Sequence, residues 1–118
     1  MTAKMVVLVA ALIAAPAGAQ KSVADQASDA RTAFARCLSE AGKNDLKEKI
    51  APDTFKEKSA TLCQAERDAF KAASLAADRQ AGIRGARADE NAQLDIDDVV
   101  ANAVDHYQVG FEMQNEAG

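Results

Sequence analysis

Apolar residues recur at steps of three and four through most of the chain, the spacing that lines one face of a helix. Between Ser22 and Ala41 they fall at Val23, Ala27, Ala30, Phe34, Cys37, Leu38 and Ala41, which predicts a first helix. Gly42 follows as its expected cap, because a residue without Cβ enters the left-handed region freely. Asn44 to Ala51 reads as a short helical turn, with Asp45 and Glu48 at capping-box spacing and Leu46 and Ile50 facing inward. Pro52 suits the first turn of a following helix. From Asp53 to Ala81 the chain is rich in Ala, Lys, Glu and Arg and holds neither Gly nor Pro. That stretch predicts a long second helix with Phe55, Leu62, Ala69, Ala73 and Ala76 on its core face and Phe70 and Ala77 beside them.

Gly82 and Gly85 bracket a kink or a short connection, after which the chain can turn helical again from Ala86. Ile96, Val99, Val100, Ala103, Val104 and Tyr107 then predict a third helix over Ile96 to Val109, with Asp95 as N-cap, Asp97 and Asp98 in its positive first turn, and Gly110 as its end. No segment shows the strict alternation of a strand. The pattern therefore predicts an all-α fold, a small helical hairpin plus a third helix packed across it in the manner of a three-helix bundle. This domain occupies residues 20–111, and a flexible polar tail follows over 112–118.

The first nineteen residues do not join this pattern. Lys4 precedes an unbroken apolar run from Met5 to Ala15, and Ala17-Gly18-Ala19 follows. A basic start, an apolar stretch and a small-x-small site are the three parts of a secretory signal peptide, with cleavage expected between Ala19 and Gln20. As a helix the run would reach about 17 Å, short of a hydrocarbon core of about 30 Å, so stable membrane insertion is not expected after cleavage. With no cysteine at the cleavage site, a lipid anchor is not expected either. The expected location is the periplasm or the medium.

Export changes the reading of Cys37 and Cys63, because an oxidising compartment favours pairing. Their spacing excludes a CxxC redox motif, and neither heads a CxxCH haem site. An internal disulfide, an intermolecular one and two free thiols remain. The first is favoured, because both cysteines lie toward the seam between the first two predicted helices. Tryptophan is absent and aromatic residues make up only 4% of the chain, so the core rests on Ala, Leu, Val and four Phe. Such a core is thin, and a staple matters more to it.

Formal charge is −4 over the whole chain, and loss of Lys4 with the leader makes it one unit more negative. Its distribution is uneven. After Arg87 there is no Lys or Arg, while Asp89, Glu90, Asp95, Asp97, Asp98, Asp105, Glu112 and Glu116 follow, and the preceding part carries more bases than acids. The third helix is therefore expected to lie against a more basic pair. The overall sign, and the lack of an aromatic-basic platform, disfavour nucleic-acid binding.

Candidate chemistry is sparse. Asp89, Asn91, Gln93, Asp95 and Asp97 alternate as in a calcium loop, but Leu94 and Val100 stand where that loop needs Gly and Glu. His106 is the only histidine, too little for a zinc site once the cysteines pair, and is expected on the surface near a helix end. No serine sits in a GxSxG elbow. Arg79, Arg84 and Arg87 gather around the two glycines, as an anion site or, more simply, as partners of Asp78, Asp89 and Glu90. An apolar patch around Tyr107, Phe111 and Met113 is the expected docking surface. The function expected is a non-enzymatic binding or envelope-stress module with an unknown protein partner and no cofactor or metal. A self-associating structural protein is the alternative, and a small hydrolase built on His106 and two carboxylates the third.

Overall fold

A computed structural model describes residues 21–117, so the leader and its Ala19–Gln20 site lie outside the described residues. Among the described residues the fold is all-α, with four helices where the periodicity predicts three: α1 (Val23–Lys47), α2 (Pro52–Ser59), α3 (Gln64–Gln80) and α4 (Ala86–Ala117). None of them is long and apolar enough to cross a membrane. Phe34 of α1 meets Phe70 of α3, with ring centroids 6.3 Å apart, and Cys37 is bonded to Cys63 just before α3. The two helices are therefore antiparallel. Contacts of α4 ascend together with α1: Arg31 with Asp98, Gly42 with Tyr107, Leu46 with Gly110. α4 thus runs parallel to α1, and the three long helices close on a core of Phe34, Leu38, Phe70, Ile96 and Val99.

α1 begins as the pattern predicts. The Ser22 hydroxyl oxygen accepts from the Asp25 amide at 3.1 Å, satisfying one of the first turn's free donors. It does not end at Gly42, which is buried inside the helix, nor does Asn44 start a separate turn. A Cβ at Gly42 would stand 3.4 Å from Tyr107 and 3.6 Å from Phe55, so the missing side chain admits two aromatic rings instead of ending the helix. The capping box is not formed either: Asp45 is buried and accepts from Lys58 Nζ at 2.6 Å. α1 stops after Lys47, where the Ile50 and Lys49 amides donate to the Asp45 and Leu46 carbonyls, both at 3.1 Å. Lys49 sits at φ 55°, the left-handed position that such an ending normally gives to glycine.

A non-glycine residue there costs about 1–2 kcal/mol, partly offset by the extra freedom glycine has when unfolded. Lys49→Gly is therefore expected to raise stability by about 0.5–1 kcal/mol, read as a higher urea midpoint at unchanged slope. A lower midpoint would show that the lysine side chain makes a contact worth more than the backbone cost.

The expected helix over Asp53–Ala81 is interrupted at Ala60–Cys63, although no Gly or Pro lies there. Cys63 takes φ 58° and ψ 45°. Arg67 reaches back to the Ser59 carbonyl at 2.6 Å and the Leu62 carbonyl at 3.4 Å, supplying donors that a continuing helix would have supplied. The interruption slips the core face by one residue. A continuous helix through Phe55 and Leu62 would point Ala69 inward; Ala69 is exposed, and Phe70 and Ser74 are buried instead. Tertiary contacts decide this: Phe55 stacks on Tyr107 at 4.1 Å on one side of the break, while Phe70 meets Phe34 on the other.

α3 ends with Gly82 at φ 87°, its amide donating to Arg79 at 3.1 Å and that of Ile83 to Asp78 at 2.8 Å. α4 then runs from Ala86 without a break. Asp95 is an exposed residue inside it and no N-cap, Ala88 and Ala92 extend its buried face, and Gly110 does not end it. A Cβ at Gly110 would lie 3.2 Å from Leu46 Cδ1, so the glycine lets α1 approach. The residues from Glu112 to Ala117, expected to fray, are helical.

Candidate functional site

Cys37 and Cys63 form an internal disulfide with a Cα–Cα distance of 6.0 Å, and no free cysteine remains among the described residues. The Glu66 carboxylate lies within 4.8 Å of both sulfurs, yet each sulfur's valence is used by the other, so the trio offers no thiolate ligand to a metal. Next to it Arg67 lays its guanidinium 5.1 Å from the Phe34 ring centroid, which ties the interhelix break to the core. Sequence reasoning missed Arg67. Nothing local in the sequence separates it from the other bases of the Asp53–Ala81 run.

The two expected surface sites fare differently. Tyr107 is only 3% exposed and does not belong to an uncovered patch. Its hydroxyl donates to the Ile50 carbonyl at 2.5 Å, closing the turn before α2 against α4. Burial pushes this hydroxyl above its usual pKa, and Asp45 adds to the rise while Lys58 opposes it. Phe111 is half-buried, with its ring 6.4 Å from that of Tyr107, and Met113 is exposed. Arg79, Arg84 and Arg87 are all exposed at the end where α3 turns into α4. None of the three takes part in the four ion pairs among the described residues, which are Lys21–Asp29, Arg31–Asp98, Lys43–Glu40 and Lys58–Asp45. The expected pairing with Asp78, Asp89 and Glu90 is not formed; Asp78 instead accepts from Asn91 at 3.0 Å. The attraction expected between α4 and the basic part is realised once, by Arg31 and Asp98.

The alternating acids and amides Asp89 to Asp97 lie on the continuous helix α4, whose 100° steps spread them around the axis instead of converging them on one ion. His106 is exposed near the middle of α4's second half, not at a helix end, since α4 continues to Ala117. It is therefore not a partner of the C-terminal dipole.

Its neighbourhood is a groove of about 320 Å³ between the parallel helices α1 and α4. Leu38, Val99, Ala103 and Leu46 give it an apolar floor, Ser39 and Lys43 rise on the α1 side, and Asn102 and His106 on the α4 side. The Arg31–Asp98 pair bridges the two walls at one end, and Leu46 against Gly110 marks the other. No carboxylate belongs to the groove's lining. A second, more open cleft of about 500 Å³ lies between α2, α3 and α4, with Asp97, Asp105, Lys56 and Arg67 at its edges. Its serine, Ser59, is buried and donates to the Lys56 carbonyl at 2.5 Å, which leaves no free nucleophile there. The α1–α4 groove was not legible in the sequence because nothing local says that α4 runs parallel to α1. Known protein families, curated proteins and solved structures yield no match to the chain.

Proposed function

We propose that this chain is an exported, non-enzymatic binding protein whose working surface is the α1–α4 groove. The observation that carries the reading is the groove itself: about 320 Å³ of space with an apolar floor, polar rims and two parallel helical walls. Two parallel walls leave a seat for one further helix, the arrangement in which an amphipathic helix lays its apolar face into a groove. Export is supported by the basic start, the apolar run Met5–Ala15 and Ala17-Gly18-Ala19, together with a disulfide suited to an oxidising compartment. A hydrolase has less to build on, because His106 lines the groove without a carboxylate beside it to orient a base.

Ala35 is exposed on the α1 wall of the groove, and Ala65 is exposed on α3 outside its lining. Ala35→Trp is expected to fill the groove and to weaken retention of the bound protein from an envelope extract by about tenfold or more, while Ala65→Trp retains it. The bound species is identified by mass spectrometry. Equal retention by both variants would reject the groove as the binding surface. N-terminal sequencing of natively purified material is expected to begin at Gln20, and an intact Met1 would reject export.

A further inference from the structure

We propose that the groove's occupant is a second copy of this chain, docked about a two-fold axis that runs parallel to α1 and α4. The inference rests on the groove reading above and names its partner.

The groove does not stop at its lining residues. On α4 the positions Asn102, His106, Val109 and Met113 follow at steps of four, three and four, so they form one continuous ridge along the groove's wall. Val109 is 54% exposed and Met113 64% exposed. Among the described residues only three large apolar side chains are this open, Leu94 being the third. Val109 thus widens the apolar strip beside Leu46 and Gly110, and Met113 carries it to the level just past the end of α1. Exposed apolar surface continuous with a groove marks a contact face.

Charge selects the partner. Arg36, Lys43 and Lys47 follow at steps of seven and four along the outer edge of α1, all exposed. Lys43 makes only a loose exposed contact with Glu40 at 3.4 Å. Asp105, Glu112 and Glu116 follow at steps of seven and four along the outer edge of α4, also exposed. Asp105 stands on the ridge between the groove and the second cleft, and Glu112 accepts one bond from Gln108 at 3.3 Å. Over Arg36–Lys47 the α1 edge, Glu40 included, is net basic, the middle is apolar, and the α4 edge over Asp105–Glu116 is acidic. A face of that kind complements itself. Rotation about an axis parallel to the helices lays α1 of one copy on α4 of the other, twice over, and the same patch serves both copies. An axis across the helices would instead lay basic edge on basic edge.

The heights agree as well. Within one chain Arg31 stands level with Asp98, Gly42 with Tyr107 and Leu46 with Gly110. Rotation about an axis parallel to the helices leaves every height unchanged. Lys47 of one copy then falls at the height of Glu112 in the other, and Lys43 falls between Asp105 and Glu112. The product is a four-helix bundle of two α1 and two α4 helices, with Val109 covered.

Natively purified protein with its disulfide intact is measured by sedimentation equilibrium across a concentration series. Wild type is expected at twice the chain mass, with a dissociation constant that rises with salt. Lys43→Glu with Lys47→Glu, or separately Asp105→Lys with Glu112→Lys, is expected to raise that constant by about a hundredfold. Mixing the two variants is expected to restore a dimer, now mixed. Carrying all four changes in one chain is expected to restore the homodimer. All four positions are exposed, and an unchanged helical circular-dichroism spectrum for each variant keeps loss of fold out of the result, since the unfolding midpoint itself falls when a dimer is lost.

A strict monomer at about millimolar concentration overturns the proposal, and so does a dimer indifferent to reversal of one edge alone, as an axis across the helices would give. If wild type is monomeric while Ala35→Trp still releases some other retained protein, the groove reading stands and the second copy falls. If Ala35→Trp disturbs neither, both fall.

Discussion

Phe34→Ala is expected to lower the free energy of unfolding by about 3–5 kcal/mol, the range for deleting a buried aromatic ring. Phe34 is 0% exposed and stands where α1 and α3 cross, with the Phe70 ring on one side and the Arg67 guanidinium 5.1 Å from its centroid. Removal would leave a cavity among Leu38, Phe70, Ile96 and Val99. It would also deprive Arg67, whose Nε is buried without a hydrogen-bond partner among the described residues, of the ring it rests on. Arg67 in turn holds the carbonyls at the end of α2, so the loss should spread to the interruption before α3. With a single tyrosine and four phenylalanines in the whole chain, few other large side chains can collapse into the space. Against a typical total of about 5–15 kcal/mol, the variant should be partly unfolded at 37 °C. Urea unfolding followed by circular dichroism measures it. A loss below about 1 kcal/mol would place the centre of the core elsewhere.

Loss of the disulfide is the second large effect. The bridge closes a loop over a sequence separation of 26, for which the chain-entropy relation gives about 3.5 kcal/mol at 25 °C. Cys37→Ala with Cys63→Ala should lower stability by about that amount. Where the cost falls can be tested further, because Cys63 is held at φ 58°. Cys37→Ala with Cys63→Gly should be more stable than the double alanine variant by about 0.5–1 kcal/mol, since glycine takes the left-handed conformation without the steric cost. If the glycine variant is instead the less stable one, the left-handed turn is lost once the bridge is gone, and α2 has moved with it. Both measurements belong with reductant-treated wild type as reference, which should match the double alanine variant closely.

Much of the framework follows from residues alone. The three- and four-residue spacing from Val23 to Ala41 and from Ile96 to Tyr107 specifies which sides of α1 and α4 turn inward, because a helix repeats every 3.6 residues whatever it packs against. The pairing of Cys37 with Cys63 was legible as the favoured of three readings, since both cysteines lie toward the seam between the first two predicted helices.

Element ends were not legible, and the reason is energetic. Glycine costs about 1 kcal/mol inside a helix, and a left-handed lysine or cysteine about 1–2 kcal/mol. Burying a large apolar side chain yields about 1.5–3 kcal/mol. Wherever the two compete, contact wins. Gly42 therefore stays inside α1 beneath Tyr107 and Phe55, and Gly110 inside α4 against Leu46, while the run from Asp53 to Ala81 breaks at Cys63 so that Phe55 and Phe70 can each reach a different partner. The groove belongs to the same class of outcome. Ala35, Ser39, Asn102 and His106 are ordinary surface residues in the sequence, and only the parallel course of α4 beside α1 brings them to one seat. Local spacing determined which faces are apolar, and long-range packing decided where the helices stop and which of those faces is left uncovered. Periodicity acts between neighbours on one helix, whereas the direction in which two helices pass each other depends on contacts more than fifty residues apart, such as Arg31 with Asp98 and Ile50 with Tyr107.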